Sequence, residues 1–260
     1  YQNASSTETI RKNIAKNIEY QENISSDKHG FAYFHDLFVK RHSKLLTKAA
    51  KKQSLAMIAI FIIIIMMCYA MPPLKEQLNN VTLTYLPYFV FIMYLLNRGT
   101  TITQALFMNC DHSMLTYRIY RTPKVILGMF SERLKTLISI NLLPSSILGI
   151  GLALLLYITG GTNNPLNYLI LFISINAMSV FFSVHYLVMY YLLQPYNVNT
   201  ELKSSTYKVV QSLTYLACYC MIQIQLPTFY FGIATIVFSV IYSIVSLILV
   251  YRLAPKTFKI

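Results

Sequence analysis

Cys110, Asp111 and His112 stand side by side in "FMNCDHSMLTYRIYR" (107–121), with Arg118 and Arg121 shortly after. A thiol, a carboxylate and an imidazole are the ligand types of a transition metal and the parts of a nucleophilic site. Spacing argues against both. Neighbouring residues on a helix point about 100° apart, so three in a row do not converge on one ion, and no second cluster elsewhere completes a set. No metal ligands or catalytic residues are therefore assigned. Asp111 is expected to cap a helix or to pair internally with an arginine. Together with Arg118, Arg121, Lys124, Glu132 and Arg133 it reads as a charged docking surface.

Whether a charged stretch docks a partner depends on the elements around it, and composition fixes their class. The chain has 260 residues, of which 55% are hydrophobic and 12% charged, about half the charge of soluble domains. This is the composition of a polytopic membrane protein. Six segments approach the roughly 20 apolar residues that a spanning helix requires: 55–71, 81–97, 137–158, 166–193, 208–226 and 228–251. Pro72-Pro73, Gly160-Gly161, Gln194-Pro195 and Pro227 punctuate them. The expected fold is an all-α bundle of six transmembrane helices.

The net charge of +13 is distributed by side. Lysines and arginines fill the segment before the first span, the loop 98–136, the loop after span four and the tail, whereas the opposite loops hold only Lys75. The positive-inside rule then puts both termini in the cytoplasm of a cell membrane, with no nucleic acid needed to explain the charge. Three regions follow: a polar arm or connector (1–30), an amphipathic interfacial helix (31–54) and the spanning domain (55–260). In 31–54, Phe31, Phe34, Phe38, Leu45 and Ala49 recur at helical spacing beside a row of lysines, a pattern suited to anionic lipid. In the loop, "PKVILGMFSERLK" reads as a short helix starting at Pro123. No signal-peptide pattern is visible, and the four cysteines lack paired spacing.

Polar residues inside the spans fall into two groups. Ser145, Gly149 and Ala153, and likewise Ser239 and Ser243, form small-residue rows that let helices approach closely, and are expected to be packing seams. Asn176, Ser179, Ser183 and Tyr186 share a helical face. With Asn141, His185 and Gln223 they are candidates for a translocation path, the alternative being interhelical hydrogen bonding. The spans hold no carboxylate, which argues against ion-coupled transport, and the chain lacks a G-x-x-x-x-G-K-[ST] loop for binding ATP itself.

This layout resembles the permease subunits of bacterial ABC exporters, in the ABC-2-like group. It is most similar to the C-terminal half of exporter permeases of low-GC Gram-positive bacteria. The resemblance spans about residues 31–260. It is carried by the basic amphipathic helix, by "NCDHSMLTYRIYRTPKVILGMFSERLK", by "INLLPSSILGIGLALLLYITGG" and by "FFSVHYLVMYYLLQPYN". It implies an elbow helix on the inner leaflet, a coupling helix in loop 98–136, and a separate ATPase subunit holding ATP and magnesium. It also implies a second permease half and export of a hydrophobic or amphipathic compound, a peptide or a lipid. Family members often carry re-entrant helices between spans five and six, where this chain has only Leu226-Pro227-Thr228. Two other readings stay open: a membrane enzyme acting at 110–112, and a non-transporting scaffold or sensor.

Overall fold

A computed structural model describes residues 25–196 and 204–258, apart from the side chains of Ile119 and Arg121. Most of the expected arm 1–30 lies outside the described residues. All named elements are helical: α1 (Gly30–Arg41), α2 (Ser43–Ala70), α3 (Pro72–Thr84), α4 (Tyr88–Leu96), α5 (Gly99–Leu106), α6 (Pro123–Ile158), α7 (Leu166–Leu193), α8 (Ser205–Cys220) and α9 (Thr228–Thr257). A π turn, Phe107–Asp111, and a last helical turn, His112–Met114, extend α5.

Four helices, α2, α6, α7 and α9, are long and apolar enough to cross a membrane. Half of the most apolar window of α7 is buried, against 17% for α2 and for α9. The bundle is therefore built around α7, with α6 beside it and α2 and α9 outside. The outer faces carry Leu55, Ile63, Met66, Val237, Ile241 and Ile248, each roughly half exposed or more. So continuous an apolar surface belongs against hydrocarbon or protein rather than water.

The other two expected spans are interrupted. Span 81–97 is broken at Tyr85–Pro87 into α3 and α4. Pro87 has no N–H and restricts the residue before it, so helical pairing lapses there. Span 208–226 stops at Cys220, passes through a 3-10 turn, Met221–Gln223, and continues extended to Pro227. The two breaks satisfy one another. Leu226 N donates to Thr84 O (3.0 Å), Thr228 Oγ1 to Thr82 O (2.8 Å) and Gln225 Nε2 to Tyr85 OH (2.7 Å). Backbone groups released from a helix and shielded from water need partners of this kind.

Two boundaries also differ from expectation. The interfacial helix 31–54 is divided at His42, whose ring stacks on Phe38 at 4.5 Å; its second half runs unbroken into α2. The short helix expected at Pro123 is the start of the 36-residue α6. No proline interrupts the run between Pro123 and Pro144; Glu132 and Lys135 lie on the outer flank while Arg133 between them turns inward.

Close approaches set the packing. A Cβ on Gly149 would lie 3.1 Å from the Phe172 ring and 3.3 Å from Phe172 Cα, so this position brings α6 against α7. On Gly151 it would lie 2.2 Å from the Phe61 ring, and on Gly232 2.2 Å from Ile170. Ser145 is buried and Ala153 half-buried on the same α6 flank. On α9, Ser239 is buried and Ser243 half-buried, and each returns its hydroxyl to a carbonyl one turn back.

Candidate functional site

The sequence's most suggestive stretch is divided by the fold. Asp111 closes the π turn and is 1% exposed. The wider turn lets Phe107 and Asp111 both face inward, a use of π turns common where a side chain must be re-aimed. Opposite stands Arg133 on α6, 4% exposed. Its Nη1 donates to Asp111 Oδ2 (2.8 Å) and to Tyr191 OH (2.7 Å), and its Nη2 donates to Asp111 Oδ1. The Tyr190 hydroxyl donates to Asp111 Oδ2. A guanidinium in a two-pronged pair with a carboxylate and two phenols thus sits wholly inside the protein.

The end of α9 seals it. Phe258 stacks on Tyr191 (4.5 Å between centroids) and meets Tyr190 edge-on at 5.3 Å; Thr257 Oγ1 donates to Tyr191 O. Phe130 packs on the remaining side of Tyr191. The cluster therefore binds the α5 extension, α6, α7 and α9 together at one end of the bundle. Asp111 and Arg133 face inward and do not belong to an exposed docking surface. Arg118 and Lys124 are exposed, Glu132 is partly exposed and paired with Lys135 on the surface, and the Arg121 side chain lies outside the described residues.

The neighbours of Asp111 do not join it. Cys110 Sγ turns to Met114 Sδ (3.1 Å), and burial, followed by the Asp111 charge, pushes its thiol up to about 11. It is a poor nucleophile at neutral pH. His112 lies edge-on to Phe107 at 5.8 Å. Among the described residues no group of three His, Cys, Asp or Glu could hold a metal ion.

α1 closes this end from the other side. His35 Nε2 pairs with Thr136 Oγ1 (2.8 Å). Burial, then the nearby Arg133 charge, pulls its pKa down to about 4, so the ring is neutral near pH 7. Asp36 holds Lys28 and Lys40, each at 3.0 Å. The Ser26 hydroxyl and these two lysines keep its carboxyl far below the usual range.

The polar residues expected to line a path lie in the α6–α7 seam. Asn176 Oδ1 accepts from Ser145 Oγ (2.9 Å) and Ser146 Oγ (3.0 Å), and Asn141 Nδ2 donates to Ser183 Oγ (2.9 Å). Asn141 Oδ1 also accepts from Arg98 N at the head of α5. Tyr186 is buried where Gly99 meets α7; a Cβ on Gly99 would lie 2.4 Å from that of Tyr186. Ser179 Oγ is buried without a partner. Gln223 is exposed in the 3-10 turn. His185 bridges three helices, with Nδ1 2.8 Å from Tyr242 OH on α9 and Nε2 3.1 Å from Thr214 Oγ1 on α8. Thr214 gives its own proton to Val210 O (2.8 Å). It must therefore accept from Nε2–H.

A further surface emerges where α4 and α8 pack, of which only the polar row through Tyr215 on α8 is legible in the sequence. Tyr215 and Tyr219 stack at 6.2 Å, with Phe91 set edge-on to both and Tyr94 edge-on to Tyr215. Tyr215 is 46% and Tyr219 47% exposed. The spacing of Ser212, Tyr215 and Tyr219 along α8 carried a signal for this wall. Its Phe91 and Tyr94 side belongs to α4 and required the pairing.

Fold and site together define the class, an all-helical bundle of multi-pass membrane type. No protein-family model, no curated protein and no solved structure matches the chain.

Proposed function

We propose that this chain is the membrane-embedded permease of an ATP-driven exporter. It moves a hydrophobic or amphipathic compound, a peptide or a lipid, while a separate ATPase subunit holds ATP and magnesium. The supporting observation is the buried Asp111–Arg133–Tyr190–Tyr191 cluster. It ties an exposed basic turn rigidly to the most buried helix, so a push delivered to the turn by a partner reaches α7 without being absorbed. Arg118 and Lys124 receive the partner, and Asp111 and Arg133 transmit its motion.

In this reading α3 with α4, and α8 with its 3-10 turn, are the second and fifth of six crossings. Both termini and the loop 98–136 face the cytoplasm of a cell membrane, and anionic lipid holds α1 and the head of α2 at the inner leaflet. The substrate passes along the tyrosine wall of α4 and α8, opposite a second permease half. The α6–α7 seam serves as packing. Rings with hydroxyl tips and no charge suit a compound that is apolar yet forms hydrogen bonds.

Purification with candidate ATPase subunits tests this. Arg118→Glu with Lys124→Glu should reduce stimulation of ATP hydrolysis at least tenfold. Tyr215→Ala with Tyr219→Ala should reduce substrate flux in vesicles and leave assembly intact. Absence of any ATPase partner, or full stimulation after both charge reversals, refutes the proposal.

A further inference from the structure

α8 ends at Cys220, and the chain returns to α9 through one 3-10 turn and an extended stretch. Where a longer α8 would have packed, a cavity of about 290 Å³ remains between α4, α7, α9 and the tip of the turn. Its walls include Met178, Phe181 and Phe182 of α7, Phe231 and Phe238 of α9, and Met221 of the turn. The two hydroxyls on the wall have given their protons to the backbone: Thr235 donates to Phe231 O and Ser239 to Thr235 O, both at 2.8 Å. The wall therefore offers no side-chain donor, and apart from these two acceptor oxygens it is apolar.

The mouth opens beside Ala234 and Phe238, the latter 56% exposed. Ile233, Val237 and Ile241 adjoin it on α9, a helix apolar enough to cross a membrane. In a bilayer, the space outside such a mouth is hydrocarbon wherever no other protein covers it. An apolar cavity of roughly 150 Å³ already excludes water and takes apolar guests. This one is larger, and its two methionines adapt to a flexible guest.

We propose that this cavity binds one acyl chain of a membrane lipid, which completes the bundle where α8 stops. The site rests on the membrane-type fold alone and stands whether or not the chain works with an ATPase.

The test uses the whole chain reconstituted in vesicles of phosphatidylcholine and phosphatidylglycerol, with a small fraction of phosphatidylcholine bearing a diazirine in one acyl chain. After irradiation, adducts are mapped by mass spectrometry. Adducts are expected on Phe181, Met221 and Phe231, which line the cavity and are partly exposed, besides those on the open α2 face at Ile62 and Ile63. Ala234→Phe, which fills the mouth, should lower the cavity adducts at least tenfold and leave those on α2 unchanged; Ala234→Val is a milder plug. Adducts confined to Ile62, Ile63 and Val237, with none on Phe181, Met221 or Phe231, overturn the proposal, as does a cavity yield unmoved by either plug. A cavity covered by a second copy or another protein gives the first of these results, and the wild-type map alone decides it.

Discussion

Removing one member of the buried ion pair should cost more than its share of the pair. Asp111→Leu leaves the Arg133 guanidinium with only the Tyr191 hydroxyl, in a site 4% exposed. Arg133→Met leaves the Asp111 carboxylate with only Tyr190. Orphaning a buried charge in this way costs about 3 to 5 kcal/mol, so each change should destabilise the fold by about 4 kcal/mol. Independent effects would then sum to about 8 kcal/mol. Asp111→Leu combined with Arg133→Met removes both charges and orphans only two phenols, at about 1 to 3 kcal/mol each. The double variant should therefore lose about 4 kcal/mol, close to either single change. Buried Cys68 and Cys218 provide the readout. With Cys110 and Cys220 replaced by serine, thiol labelling along a denaturant series follows unfolding of the solubilised protein. A double variant within about 0.5 kcal/mol of the summed singles would mean the two groups do not meet, and the account of this end of the bundle would fail.

Acid should loosen α1. The His35 ring has a pKa of about 4 in the fold against an ordinary 6.5, so the unfolded chain binds the extra proton and stability falls as pH drops from 6.5 towards 4. The full difference corresponds to about 3 kcal/mol; proteolysis near residue 30 across this window should show it, and His35→Gln should flatten the profile. Gly151→Ala should destabilise by about 1 to 3 kcal/mol through overpacking, since its methyl would meet the Phe61 ring; Phe61→Leu should restore part of the loss. At pH 8 the Cys110 thiol, pushed up to about 11, should alkylate far more slowly than exposed Cys220, and equal rates would contradict its burial.

Much of the fold can be read from apolar length alone, as α2, α6, α7 and α9 show. What could not be read was continuity. Pro144 lies within the unbroken α6, whereas Pro87 and Pro227 accompany breaks, because the groups released at the latter two find partners in each other. That pairing joins positions some 140 residues apart and leaves no local trace. The site divides similarly. Cys110, Asp111 and His112 are adjacent in sequence, and in the fold their side chains take separate partners: Met114, Arg133 and the Phe107 ring. An internal arginine partner for Asp111 was anticipated, but its identity as Arg133 was not. The π turn that aims Asp111 and the α6 face that buries Arg133 are settled by packing against Tyr190 and Tyr191. Asn176 and Ser183 are recognisable in sequence as one face of a helix and Asn141 as a polar residue of the span before it, but whether they face a cavity or one another depends on how closely Gly149 lets α6 approach α7.

The bond from Thr228 to the Thr82 carbonyl spans 146 positions, which gives the bundle a clock. At about 5 to 20 residues per second of synthesis, the carbonyl end of α3 waits about 7 to 30 s before its partner has even been made. The junction of α3 and α4 must therefore remain unfinished until the start of α9 arrives. A chain arrested before Thr228 carries exposed carbonyls at Thr82 and Thr84, a mark by which incomplete copies differ from finished ones.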